Sequence, residues 1–404
     1  MRNNYLAEGE KPYVEEKAPG FKPDSLKVLL SYHYFKQVDL FALMTKYFGD
    51  KTPKIFIDSG GFSAATQGVA INLDEYCEFL HKHMPLLHVY ANLDEIGDPV
   101  KTFERQQAME ANGLKPLPVF HTGEPIEWLR KYIDTGHNYI ALGGMVPYAR
   151  DKAKLVKWMS ACFNVADEYL KSENREIKYH GFGMTNWDLM RAYPWGSVDS
   201  SSWASGFRYG QVYLFDDKIG RFFQVGLRDT KNSYKFERLL HQYGFSPNDI
   251  AMNSEFDRVK VATISALAFM KAEAWLNRSS DRGSLRGAVP GAGRSDGLDV
   301  SRGSLPASGG APDGGARAAV DEGKPVDRGS LRQTEDAALA GPDEHVRLSE
   351  RGPGVLRDDR GRGEVYLVAL PPKEGSEHNP ESKFVGGTQM FESFRNILQG
   401  GKGG

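Results

Sequence analysis

The stretch Ile55-Phe56-Ile57-Asp58-Ser59-Gly60-Gly61-Phe62 opens with three apolar, β-favouring residues and closes with turn chemistry. A short apolar run bounded by glycines reads as a buried strand. The carboxylate of Asp58 then stands at the strand's C-terminal end, and two glycines let the backbone come close to whatever lies beside it. The same residues also suit an ordinary capped strand-to-helix turn.

Similar runs recur on both sides of this one: Val28-Leu-Leu-Ser-Tyr, Val89-Tyr-Ala-Asn-Leu-Asp, Leu117-Pro-Val-Phe-His, Tyr139-Ile-Ala-Leu-Gly, Tyr179-His-Gly-Phe-Gly and Ser197-Val-Asp. Helix-length stretches separate them, at 73–84, 99–112, 125–135, 151–171 and 186–192. Strands alternating with helices imply parallel pairing through crossover helices. Seven such units, with another strand near 211–215 or 222–226, predict a (β/α)8 barrel of the TIM type.

The chain divides by composition. Residues 1–24 are polar with Pro and Gly and read as an N-terminal arm, and 25–278 read as the barrel. Residues 279–363 are crowded with Gly, Arg, Asp, Ser, Pro and Ala, and Arg-Gly-Ser-Leu recurs from Arg282, Arg302 and Arg328. Such a segment buries too little apolar area to offset chain entropy, so a disordered insertion is expected. Order resumes over 364–404, with a strand at Glu364-Val-Tyr-Leu-Val-Ala-Leu and a helix near Met390 that returns to the core.

The bulk numbers exclude little. A formal net charge of −2 over 404 residues gives no global attraction to a polyanion, so any nucleic-acid contact needs local basic clusters. Two isolated cysteines, Cys77 and Cys162, do not make a structural zinc site, and no metal or cofactor is expected. Neither a signal peptide nor a membrane span is evident, so a cytoplasmic location is expected.

The polar motifs all fall at strand ends. Besides Asp58 these are Asn92-Leu-Asp-Glu-Ile-Gly-Asp98, Phe120-His-Thr-Gly-Glu124, Ala141-Leu-Gly-Gly-Met-Val-Pro147, His180-Gly-Phe-Gly-Met-Thr185 and Ser197-Val-Asp-Ser-Ser-Ser-Trp203. In a β/α barrel those ends form the active-site face. Each alone also reads as a helix cap or a plain glycine turn. Asp199 at a strand end suits a nucleophile or general base. Trp203, Phe207, Arg208 and Tyr209, with Arg221, Arg228 and Lys231, fit a nucleic-acid rim or an ordinary solvated loop.

Together the motifs over residues 25–230 resemble the tRNA-guanine transglycosylase superfamily, Asp-Ser-Gly-Gly-Phe at 58–62 most specifically. The resemblance implies that Asp199 attacks the sugar C1′ and that Asp58 handles the proton of the leaving and entering bases. It puts Phe62 on one face of the base and His180 at the opposite wall, and counts Gly181 among the substrate-binding residues. Asp94 would read the Watson–Crick edge, and Gly143, Gly144 and Met145 would contact the base carbonyl. His121 stands where the tRNA enzymes place a glutamine.

Those enzymes carry a zinc subdomain after the nucleophile strand, but no cysteine follows Cys162 here. The chain therefore looks more like the DpdA-type DNA-guanine transglycosylases of bacteria and their viruses. The implied partners are DNA, a 7-deazaguanine such as preQ0, and enzymes that further modify the inserted base. A zinc-free tRNA-guanine transglycosylase acting on tRNA is the alternative. A degenerate nucleic-acid-binding barrel and a glycoside hydrolase using Asp58 and Asp199 also stay open.

Overall fold

The computed structural model describes residues 26–145, 151–205, 211–227, 230–250, 258–281, 363–372 and 387–399. The expected arm (1–24), nearly all of the expected disordered insertion (279–363), and Phe207, Arg208, Tyr209 and Arg228 of the expected rim lie outside them.

Eight parallel strands form the main sheet: β1 (Lys27–Ser31), β2 (Lys54–Asp58), β3 (Leu87–Tyr90), β4 (Val119–His121), β5 (Tyr139–Gly143), β6 (Lys178–Gly181), β7 (Ser197–Ser200) and β10 (Glu364–Ala369). Their order is β3-β2-β1-β10-β7-β6-β5-β4. The two end strands meet through one parallel bridge, Ala91 to Leu117, so the sheet curls into a barrel of the (β/α)8 type with an incomplete seam. On the N-terminal side of that bridge the strands part. A cavity of about 730 Å³ opens there between Leu87, Lys115, Leu117, His137 and Tyr139.

The helices fall where the periodicity put them: Leu73–His83, Pro99–Ala111, Ile126–Asp134, Lys152–Glu173 and Trp187–Ala192. Their starts are written locally. The side chains of Asn72, Asp98, Asp151 and Asn186 each accept from backbone N–H groups of the first turn. No helix among the described residues is long and apolar enough to cross a membrane.

The eighth strand differs from the expectation. Residues 211–215 and 222–226 belong to β8 (Gln211–Asp216) and β9 (Arg221–Gly226), an antiparallel hairpin outside the barrel. The hairpin packs on the helix Arg258–Asp281, and the backbone N–H of Tyr213 donates to Ser265 Oγ at 3.2 Å. At its turn Gly220 has φ +63°, and a Cβ there would lie 2.3 Å from the Trp275 ring. The barrel instead takes β10 between β7 and β1, from the far side of the composition break. The following helix, Gly387–Gln399, seats Phe391 against Phe35, Tyr47 and Phe48.

Strand parity divides the core in two. Val28, Leu30, Ile55, Ile57, Phe120, Ile140, Tyr179 and Val198 belong to the outer cluster shared with the helices. Leu29, Phe56, Ala91, Val119, Ala141 and Tyr366 form a second cluster that fills the lumen. Two residues further along the same inward rows stand Ser31, Asp58, His121 and Gly143. Asp199 pairs with Tyr366 across the ladder and joins them.

Candidate active site

Inward parity at the C-terminal strand ends brings Asp58, His121 and Asp199 to one mouth of the barrel, and the loop after β3 brings Asp94 to them. Asp58 ends β2, and its Oδ2 accepts from the Gly60 N–H at 3.1 Å. Gly60 has φ +76°, and a Cβ on it would sit 2.4 Å from Ser31 Oγ, so only glycine fits this turn. Burial first, then the charges of Asp94 and Asp199, push the Asp58 carboxyl up to about 8. The group keeps a little accessible surface at the mouth but lies deep among protein atoms.

Asp94 lies just beyond β3. Its Oδ1 accepts from Ser59 Oγ at 2.8 Å, and its Oδ2 faces His121 Nε2 at 2.8 Å. The other ring nitrogen, Nδ1, faces Glu124 Oε1 at 3.0 Å, and the His121 N–H donates to Glu124 Oε2. Burial works against a charge on His121, but the hydrogen bonds and charges of Asp94 and Glu124 outweigh it and raise the imidazole to about 10. His121 is therefore an imidazolium shared by two carboxylates. Burial pushes Asp94 upward, and the His121 contact more than reverses it, holding the carboxyl below its ordinary range. Arg105 steadies the loop, with Nη1 on the Asp94 carbonyl at 3.4 Å and Nη2 on Glu95 at 2.9 Å.

Asp199 is 6 % exposed. Its Oδ1 accepts from the Gly183 N–H at 2.9 Å and meets His180 Nε2 at 3.2 Å. Both contacts fall on one oxygen, which leaves Oδ2 unengaged among the described residues. No lysine or arginine among them pairs with Asp58, Asp94 or Asp199.

The remaining expected residues take varied places. Phe62 is half-buried on the first turn of the helix Gly61–Thr66. The Gly143 carbonyl accepts from the N–H and the hydroxyl of Thr122, and Gly144 has φ +70° beside His121. Met145 is buried at the edge of the described segment.

His180 does not form the expected wall. It is 0 % exposed, with its ring against Phe56, Phe182 and Tyr366, so no face is open to a base. Gly181 leaves no room for a side chain, because a Cβ there would lie 2.9 Å from Trp195. The half-buried ring two residues on from His180 is Phe182, which the sequence reading passed over. Trp203 likewise leaves the rim: it is 0 % exposed and its indole N–H donates to the Val368 carbonyl at 3.0 Å.

Ser59, Glu124, Gly183 and Ser197 also contact these side chains, and each lies within one of the strand-end motifs without a feature of its own that marks it. The exception is the spacing of His121 and Glu124 across a glycine turn. Among the described residues no group of three or more His, Cys, Asp or Glu is arranged to hold a metal ion. Comparison with protein-family models, curated proteins and solved structures finds no match to this chain.

Proposed function

We propose that the chain is a transglycosylase that exchanges guanine in DNA for a 7-deazaguanine such as preQ0 through a covalent aspartyl intermediate. One observation carries the reading. Aspartates from different strands share a mouth where no described lysine or arginine pairs with their carboxylates, and Asp58 is pushed to about 8, so it holds a proton at neutral pH.

In this reading Asp199 Oδ2 attacks the sugar C1′ while the C1′–N bond to guanine breaks. The bond's electron pair goes to the base, which takes the proton from Asp58. A group titrating near 8 is well matched to proton transfer at neutral pH. The entering base returns a proton to Asp58 and attacks C1′, and Asp199 leaves as the carboxylate. Asp94 has acceptor capacity left for the guanine N1–H and exocyclic amine, with His121 fixing its orientation. Phe62 stacks on the flipped base and offsets part of the unstacking cost.

DNA is the proposed polymer because the Tyr-His-Gly-Phe-Gly-Met-Thr and Ser-Val-Asp-Ser-Ser-Ser-Trp forms look like the DNA-modifying branch. The cysteines of a tRNA-enzyme zinc site are missing from the sequence as well. The test is mass analysis of nucleosides after the protein has met duplex DNA, tRNA and preQ0 in one reaction. The 7-deazaguanine nucleoside is expected from the DNA. Its appearance in tRNA alone would transfer the reading to that polymer, and its absence from both, across varied DNA sequences, would overturn it. Asp199→Ala is expected to lose the covalent protein–DNA adduct and about 10⁴-fold or more of the exchange rate.

A further inference from the structure

Below Asp199 a chain of polar side chains runs through the barrel interior, and nothing in the mechanism above uses its far end. His180 Nδ1 is within hydrogen-bond distance of Ser197 Oγ, and Ser197 Oγ of the Tyr139 hydroxyl. His180 and Ser197 are in register on β6 and β7. Their exposures are 0 % and 1 %, so water does not compete for the His180–Ser197 contact. Tyr139 starts β5 and lines the cavity at the opposite mouth.

We propose that Tyr139 and Ser197 fix His180 in the Nε2–H tautomer, so that it locks one oxygen of Asp199 and leaves the other to meet the sugar. The direction of the chain follows from its upper end. An ionised carboxylate only accepts, so Nε2 must carry the proton that points at Asp199 Oδ1. In a neutral imidazole Nδ1 is then bare and accepts from the Ser197 hydroxyl. Ser197 Oγ in turn accepts from Tyr139, whose buried phenol is held protonated as a donor. The reverse direction would set a bare Nε2 against a carboxylate oxygen. An orienting partner that selects the tautomer of a buried histidine governs rate rather than binding. His180, Ser197 and Tyr139 are thus positioning residues, and the inference rests on reading Asp199 as the nucleophile.

The side chain of Gln places an N–H donor about where Nε2 lies but cannot accept at Nδ1, whereas Asn reaches only the Nδ1 position. His180→Gln is therefore expected to keep kcat for base exchange within about fivefold, and His180→Asn to lower it about a hundredfold, with KM for DNA unchanged in both. Ser197→Ala should lower kcat about tenfold. Thermal melting of each variant shows whether it folds. Equal losses in folded Gln and Asn variants, or a loss confined to KM, would overturn the proposal. Nitrogen-15 NMR of histidine-labelled full-length protein supplies an arm that needs neither activity nor variant stability. It should show the His180 proton on Nε2 and a bare Nδ1, and a proton on Nδ1 sinks the relay. No exchange by the unaltered chain would sink the transglycosylase reading instead, while the NMR result still decides the tautomer.

Discussion

The two mouths of the barrel treat their carboxylates in opposite ways. At the N-terminal mouth Glu364 meets Lys54 at 2.7 Å, and Glu273 meets Lys27 at 2.6 Å. Burial pushes Glu364 upward, but the Lys54 hydrogen bond and the Lys27 charge hold it below its ordinary range. At the C-terminal mouth Asp58, Asp94, Glu124 and Asp199 have, among the described residues, one buried cation beside them, His121, which serves Asp94 and Glu124. Asp58 responds by keeping its proton. At the N-terminal mouth each of these carboxylates has a counter-ion, and the less compensated cluster at the other mouth is what the proposed chemistry would use.

The largest expected effect falls on His121, the buried cation of the C-terminal mouth. His121→Leu keeps the volume but leaves two carboxylates, 12 % and 6 % exposed, without their counter-charge. Breaking a buried pair in this way costs about 3–5 kcal/mol, read from urea unfolding at pH 6. The sign with pH follows from His121 titrating at about 10 rather than at its ordinary value. Its stabilisation is fully present below about pH 6.5 and fades as pH rises toward 10. The gap between wild type and variant should therefore close over that window. A constant gap, or one under about 1 kcal/mol, would make the two mouths alike.

Asp58→Asn sharpens the comparison from the other side, because it removes charge strain. A carboxyl raised to about 8 stabilises the fold only while protonated, and that benefit is lost as pH rises from about 4 to 8. Asn retains an acceptor for the Gly60 N–H and never ionises. The variant should gain about 2–4 kcal/mol over wild type at pH 7 and almost nothing at pH 4, seen as a melting-temperature difference. Base exchange should fall at the same time. A variant that is no more stable than wild type at pH 7 would show that Asp58 lies in no such field.

Parity and strand-end position made much of this site legible in the sequence. Asp58 and His121 each close a short apolar run and Asp199 lies in the strand-like run Ser197-Val-Asp, and in a barrel such strand ends share one mouth. Five of the helices were legible as amphipathic stretches between the strands, at 73–84, 99–112, 125–135, 151–171 and 186–192. The closing strand was not, because 211–215, 222–226 and 364–369 are all apolar runs of strand length. Which of them reaches the β7–β1 gap depends on long-range packing, here Phe391 on Phe35 and Phe48, that local pattern does not encode. His180 was misplaced for a related reason. A histidine on an inward row reads the same whether its flat face or its ring nitrogens do the work, and only Ser197 and Asp199 beside it decide.

The smallest effect belongs to the N-terminal mouth. Lys54 is 43 % exposed and its partner Glu364 23 %, so solvent and salt screen the pair. Lys54→Ala should cost under about 1 kcal/mol in urea, less in high salt, because Glu364 keeps the Tyr366 hydroxyl at 2.9 Å. Exchange activity should not change, since Lys54 sits at the opposite end of β2 from Asp58. The two substitutions on this one strand thus separate its roles. A change at its first residue should move stability slightly and rate not at all, and a change at its last should raise stability while ending the chemistry. If Lys54→Ala slowed exchange as much as it weakened the fold, charge at one mouth would be coupled to charge at the other. The contrast between a compensated and an uncompensated end would then no longer explain where the site lies.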